Sequence, residues 1–244
     1  NQNNSIFSAL LSPQGKYLHE FFIISSDNGY FLDCSDELKE DLIGCLSKYK
    51  LRSKVEIEDF SSDYVVGVLS PEKFKEIQLE NNKLTDTILY RESRLFIDPR
   101  KKELGTRMLS SLEKLHLTIK KLNLKIVDSS IYFELAHSLG VPEKGLSNLK
   151  EQLFGLEANF EELNAIDFKK GCYVGQENTA RMKLKNKLRK KLLAVKIYGN
   201  IEVGEDLKFG EIKIGKILID KPYSFALVKL FDPDFSDFKD KELN

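Results

Sequence analysis

One cysteine in this sequence sits where a thiol could do chemistry. Cys172 lies in Lys169-Lys170-Gly171-Cys172-Tyr173-Val174-Gly175-Gln176-Glu177, bracketed by two glycines and preceded by two lysines. The glycines permit a tight backbone turn that presents the residues between them, and the lysines make the local field positive, which favours a thiolate. A helix opening near Gly175 would add its unpaired N–H groups and the positive end of its dipole. The competing reading is a small buried hydrophobe, which free cysteine often is, and exposure decides between the two.

The rest of the composition narrows the chemistry further. Cys34, Cys45 and Cys172 are odd in number and widely spaced, which argues against a disulfide framework and for a reducing compartment. Cys34 at a strand end and Cys45 in a helix read as packing residues. Without a Cys-x-x-Cys or Cys/His cluster, the chain alone does not offer the roughly four ligands of a zinc site or a permanent iron–sulfur cluster. Its 244 residues, 41% hydrophobic, can bury a real core, while 38 basic and 38 acidic residues cancel and leave no global field for nucleic acid. The apolar runs fall short of the roughly 20 residues of a membrane span, and no signal-peptide pattern is present. Because the sequence starts at Asn1, a leader or a piece of the domain is expected to be missing from it.

The elements that must hold the cysteine stretch follow in order. Residues 6–11 read as a strand closed by Ser12-Pro13-Gln14-Gly15, residues 17–25 as a second, and residues 30–34 as a third after Asp27-Asn28-Gly29. Ser35-Asp36-Glu37 starts a helix in which Leu38, Leu42, Ile43 and Leu46 recur at helical spacing. Further strands are expected at residues 55–57, 64–69, 87–90 and 94–97, and helices at 71–77, 105–115 and 131–139. Residues 117–127 fit helix or strand equally, and His137, in the last helix, reads as structural. Residues 146–164 lack a clean period but contain Phe154-Gly155-Leu156-Glu157-Ala158-Asn159, and long irregular segments in compact domains are often functional. After Arg181 come Lys183, Lys185, Lys187, Arg189, Lys190 and Lys191, with Met182, Leu184 and Leu188 interleaved as on a half-buried strand. Gly199, Gly204, Gly210 and Gly215 punctuate a β-rich end that reads as a small barrel or sandwich, and residues 232–244 read as a loose charged tail.

Residues 169–181, KKGCYVGQENTAR, resemble the K-G-C-Y-x-G-Q-E…A-R signature of the YgfZ-type folate-binding family, relatives of Iba57-like iron–sulfur assembly factors. Leu11-Ser12-Pro13-Gln14-Gly15-Lys16, Asp98-Pro99-Arg100, Leu104-Gly105-Thr106-Arg107, Gly140-Val141-Pro142-Glu143 and Leu156-Glu157-Ala158-Asn159 fit the family in the same order. The resemblance covers nearly the whole chain. The family is related to the T-protein of the glycine cleavage system (GcvT), an aminomethyltransferase that binds tetrahydrofolate. The implied fold class is α+β: a GcvT/YgfZ-like folate-binding body of antiparallel sheets with helices over residues 1–189, then a small C-terminal β-barrel and tail over 190–244. A strand-helix segment with Gly-x-Asp and Phe-Leu-Gln, usual in the family, is expected to be missing ahead of Asn1.

The same resemblance implies tetrahydrofolate or a derivative as cofactor. Glu157 stands where the T-protein has the glutamate of its L-E-A motif, and its carboxylate can accept two parallel N–H bonds from the pterin's aminopyrimidine edge. Glu20, Tyr173, Gln176 and Arg181 are the other implied folate-binding residues. Glu20 matches an aspartate of the T-protein and sets the carboxylate outward by about one methylene, which argues against T-protein catalysis. Cys172 and Lys170 are the implied catalytic residues, with Cys172 a transient metal ligand whose companions a partner must supply. The implied function is a folate-binding accessory factor for assembly or repair of iron–sulfur proteins, touching tRNA modification through such enzymes; the alternative is a tetrahydrofolate-dependent aminomethyltransferase. Expected partners are folate, with a polyglutamate tail drawn to the basic run, and iron–sulfur client or assembly proteins, but neither membrane nor nucleic acid. The expected location is the cytoplasm in a bacterium or the mitochondrial matrix in a eukaryote.

Overall fold

The computed structural model describes residues 5–81, 85–185 and 188–239. In chain order the elements are β1 (Ser5–Leu11), β2 (Tyr17–Ser26), β3 (Gly29–Cys34), α1 (Lys39–Lys50), β4 (Tyr64–Leu69), α2 (Pro71–Glu80), β5 (Thr87–Tyr90), β6 (Ser93–Ile97) and β7 (Thr106–Ser111). They continue with α3 (Leu112–Lys121), α4 (Ser130–Ser138), α5 (Gln176–Leu184), β8 (Lys190–Ala194), β9 (Asp206–Phe209), β10 (Ile212–Ile219) and β11 (Phe225–Lys229). The sheets are ordered β1-β2-β3, β4-β7-β6-β5 and β8-β11-β10-β9, and all neighbouring strands of the two four-stranded sheets pair antiparallel. This is the expected α+β class. The described residues group into two compact units, both of which draw on the first hairpin: those up to Phe7, in Phe22–Asp33 and in Lys39–Tyr132 form one, and those in Ser8–Phe21, in Cys34–Leu38 and from Phe133 on form the other.

In the first unit, Phe74 and Ile77 of α2 pack on Ile88, Tyr90, Leu95 and Met108 of the sheet. The helix starts where the sequence says it should: Ser70 accepts a hydrogen bond from the Lys73 N–H and Pro71 occupies the first turn. Residues 106–111, expected as helix, are strand β7, paired on one side with β4 and on the other with β6. Two-sided pairing overrides the helix preference of Met108 and Leu109. Gly105 makes the break: its φ is 88°, and a Cβ there would lie 2.4 Å from the Leu69 carbonyl oxygen. Residues 55–57, expected as a strand, pair with no neighbour, and Val55 is exposed. The ambiguous stretch from Leu117 is helical to Lys121 and irregular beyond.

This unit also buries an ionic cluster. Arg100 and Asp98 meet at 2.7 Å with side chains 2% and 0% exposed, and the Arg100 guanidinium lies 4.7 Å from the Phe22 ring centroid. Arg107 donates to Asp33 at 2.8 Å and covers the same ring at 4.4 Å. Both arginines donate to the Tyr132 hydroxyl, at 3.1 and 3.2 Å. Stacking on an aromatic ring while forking onto a carboxylate is what a guanidinium does better than an ammonium.

In the second unit the C-terminal sheet closes over Leu207, Ile214, Ile217, Ala226, Val228 and Phe238. The segment expected to be a loose tail contributes to this core: Phe238 is 3% exposed and stacks edge-on with Phe235 at 5.4 Å. Residues 240–244 lie outside the described residues. Residues 146–164 are irregular as expected, with a short 3-10 turn at Leu146–Leu149. Glu37 holds that turn by accepting from the Leu146 N–H at 2.8 Å and the Ser147 hydroxyl at 3.0 Å.

Candidate functional site

The tip of the β1–β2 hairpin organises the site. Gly15, at φ 81°, closes a turn in which its N–H donates to the Ser12 carbonyl at 2.8 Å and the Ser12 N–H to the Lys16 carbonyl at 2.9 Å. The Glu157 segment runs against one side of this tip. Tyr17 N–H donates to Leu153 carbonyl at 2.9 Å, Glu151 N–H to Tyr17 carbonyl at 2.8 Å, and Gly155 N–H to Gly15 carbonyl at 3.1 Å.

The cysteine segment docks on the same tip. Gly175 has φ 85°, and a Cβ on it would lie 2.6 Å from the Ser12 carbonyl oxygen and 2.9 Å from the Gly15 Cα. Only glycine permits that approach. The first turn of α5 completes the joint: Asn178 donates to the Gln14 carbonyl and Thr179 to the Gly175 carbonyl, both at 2.9 Å. The glycines at 15 and 175, separated by most of the chain, thus form one backbone contact that ties the Leu-Ser-Pro-Gln-Gly and Lys-Gly-Cys motifs together.

Glu157 is buried, and one of its oxygens accepts the Phe154 N–H at 2.9 Å. Burial pushes its carboxyl above the ordinary value, opposed in turn by that N–H and by the charges of Lys190 and Lys16. The second oxygen and the remaining lone pair of the first leave acceptor capacity for a ligand edge that donates two N–H bonds. The backbone here anchors the C-terminal sheet, since Leu192 N–H donates to the Glu157 carbonyl and Asn159 donates to the Leu192 carbonyl, each at 2.8 Å.

Glu20 is buried on β2. Its neighbour Tyr17 is fully buried, stacks on Phe160 at 5.4 Å and, among the described residues, has no hydrogen-bond partner for its hydroxyl. Burial first, then the charge of Glu20, hold that phenol well above its ordinary value.

Cys172 is exposed, so it does not pack as a small hydrophobe, whereas Cys34 and Cys45 are half-buried. Lys170 places its ammonium 4.9 Å from the Tyr173 ring centroid, and burial raises the Tyr173 phenol, with Thr179 opposing. Gln176 accepts the Tyr173 N–H at 3.1 Å and so closes the turn that presents Cys172. Arg181 pairs with Glu177 one turn before it at 3.0 Å, both on the exposed face of α5. Residues 181–184, expected as part of a strand, are the last turn of this helix, and Leu184 is 85% exposed rather than half-buried. Lys187 falls outside the described residues. Lys183 pairs with Glu161 and Lys191 with Glu162. Among the described residues, Lys185, Arg189 and Lys190 have no carboxylate at ion-pair distance.

Sequence reasoning missed Lys16 and Lys190 as the cations facing Glu157. The signal was present only as two lysines flanking motifs far apart in the chain.

The fold defines the class first. The architecture is similar to the crystal structure of glycine cleavage system aminomethyltransferase T from Bartonella henselae, with a TM-score of 0.66 over 95% of this chain and 69% of that one, at 12% identity. It is a GcvT-like α+β fold. In sequence the chain is 31% identical over 204 residues to the mitochondrial iron–sulfur cluster assembly factor IBA57 homolog of Mycosarcoma maydis, covering 80% of this chain and 47% of that protein. It is 30% identical over 198 residues to human IBA57, covering 78% and 53%. No protein-family model matches the chain. The chain is a homologue of the Iba57 iron–sulfur cluster assembly factors and spans about half the length of these curated relatives. No helix among the described residues is long and apolar enough to cross a membrane.

Proposed function

We propose that this chain is a folate-binding accessory factor for assembly or repair of iron–sulfur proteins, with Cys172 its transient ligand or nucleophile. The observation that supports it is the common mooring of the Glu157 and Cys172 segments on one hairpin tip through Gly15 and Gly175. Glu157 would hold the pterin edge of tetrahydrofolate, with Glu20, Tyr173, Gln176 and Arg181 as further folate residues. When bound, the folate would supply a pterin and a one-carbon carrier. The chain's own part is to keep Glu157 in place through Phe154 and to present the Cys172 thiol beside Lys170. One thiol makes one ligand, so a client or assembly protein must supply the rest of a cluster's coordination. An effect on tRNA modification would be indirect, through iron–sulfur enzymes. The mitochondrial names of the relatives favour the matrix for a eukaryotic source.

Replacing Cys172 with Ser should abolish the chain's ability to restore iron–sulfur enzyme activity in cells lacking their own homologue, while tetrahydrofolate affinity and the unfolding midpoint stay unchanged. Full restoration by the variant, alongside a working wild-type control, would refute the thiol mechanism.

The second reading is a tetrahydrofolate-dependent aminomethyltransferase. It is favoured by the fold likeness and by the buried Glu20 carboxylate on β2. It requires turnover with an aminomethylated lipoyl partner and loss of that turnover in Glu20→Gln.

A further inference from the structure

A cavity of about 360 Å³ opens beside His137 in the last turn of α4, lined by residues outside the Glu157 and Cys172 segments. Its floor is apolar: Val195, Ile197 and Ile201 are half-buried and pack on the core of the C-terminal sheet. Its walls are aromatic and cationic. Tyr198 is 84% exposed, Tyr223 is half-buried in the same lining, and Lys196 and Lys221 are both exposed.

The charges in the lining do not cancel. Asp220 has one carboxylate oxygen accepting the Lys221 backbone N–H at 2.8 Å, and neither lysine ammonium has a carboxylate at ion-pair distance among the described residues. His137 fixes the back wall. Its Nε2 meets the Ser224 carbonyl oxygen at 2.9 Å, so that nitrogen carries the proton and donates, and its ring stacks edge-on against Phe225 at 5.2 Å. The turn facing it is braced by the Ser224 hydroxyl donating to the Asp220 carbonyl.

A tyrosine ring and an apolar floor in one lining with two unpaired ammonium groups select for a particular chemistry. We propose that this cavity binds a small aromatic anion of mononucleotide size, its ring laid on Tyr198 over the Val195, Ile197 and Ile201 floor and its anionic group held by Lys196 and Lys221. Stacking is tolerant of ring identity and the lysines act as point charges, so the site recognises the combination of ring and anion rather than one molecule. This site stands apart from the proposed folate site and does not depend on it.

The test is titration of the whole chain with AMP, adenosine and inorganic phosphate, followed by amide shifts in NMR. AMP should perturb the amides of residues 196–201, 220, 221, 223 and 224, and adenosine or phosphate alone should bind at least about fivefold more weakly, as expected when both stacking and charge contribute. Tyr198→Ala and the double variant Lys196→Ala/Lys221→Ala should each weaken AMP by at least about fivefold, and Glu157→Gln should leave it unchanged. All three side chains are exposed, so these changes should not unfold the protein, and unfolding midpoints check this. AMP that shifts no amide in the lining, or binds equally well to the variants, overturns the proposal. Phosphate binding as tight as AMP overturns it too, since the ring would then contribute nothing.

Discussion

At the residue scale, Glu157 separates function from stability. Its carboxyl binds a proton more tightly in the folded chain than in the unfolded one, because burial outweighs the Phe154 N–H and the charges of Lys190 and Lys16. The sign follows: its favourable contribution is complete in acid and is lost as pH rises through the raised folded value, so at neutral pH the ionised carboxylate costs stability. Glu157→Gln keeps an acceptor for Phe154 and removes the charge. The variant should be more stable than the parent at neutral pH in urea unfolding, and that advantage should vanish in acid; lower stability at neutral pH would contradict the assignment. Glu157 was legible in the sequence from the Leu-Glu-Ala-Asn motif, and Cys172 from its glycines and lysines. Lys16 and Lys190 were not, because nothing local to either lysine says that it faces a carboxylate more than a hundred positions away or in the next segment.

At the element scale, the glycines flanking Cys172 have different work. Gly175 is held at positive φ with its Cα against Ser12 and Gly15, whereas Gly171 has nothing within 4 Å of an added Cβ. Gly175→Ala should cost about 2–4 kcal/mol, combining backbone strain with the clash, and loosen α5 from the hairpin tip. Gly171→Ala should stay within about 0.5 kcal/mol. Chemical unfolding of both variants checks this, and equal costs would remove the argument that Gly175 is the joint. Sequence patterns found most strands, and they found α2 through its Ser-Pro start. They failed at β7 and at residues 181–184 for opposite reasons. Sheet partners on both sides turned helix formers into a strand, while the apparent alternation of bases and apolar residues was a helix end whose Leu184 faces solvent. Phe238 was lost in a charged tail because one buried ring among many charges leaves no period to detect.

At the scale of the whole molecule, zero net charge conceals local asymmetry. Among the described residues, Glu161 and Glu162 neutralise Lys183 and Lys191 and leave Lys185, Arg189 and Lys190 without an ion-pair partner, Lys190 acting on Glu157 through its charge. A polyglutamate tail on folate would meet these three charges. Polyglutamylated folate should therefore bind more tightly than the monoglutamate form at low salt, and the difference should shrink as salt screens it. Equal affinities at both ionic strengths would contradict this role for the basic run. The fold class could be read because motifs from one end of the chain to the other fell in the family order; which distant segments share a unit could not, since that depends on contacts such as Gly15 with Gly175 that no local pattern encodes. The central claim is that the hairpin tip holds Glu157 as the folate anchor. Calorimetric titration of tetrahydrofolate into the parent chain and into Glu157→Gln tests it most directly. The parent should bind, and the variant should lose at least about tenfold in affinity, the equivalent of about 1.4 kcal/mol, while unfolding at a midpoint no lower than the parent's. Equal tetrahydrofolate affinity in the two proteins, or no binding by the parent, would contradict the account.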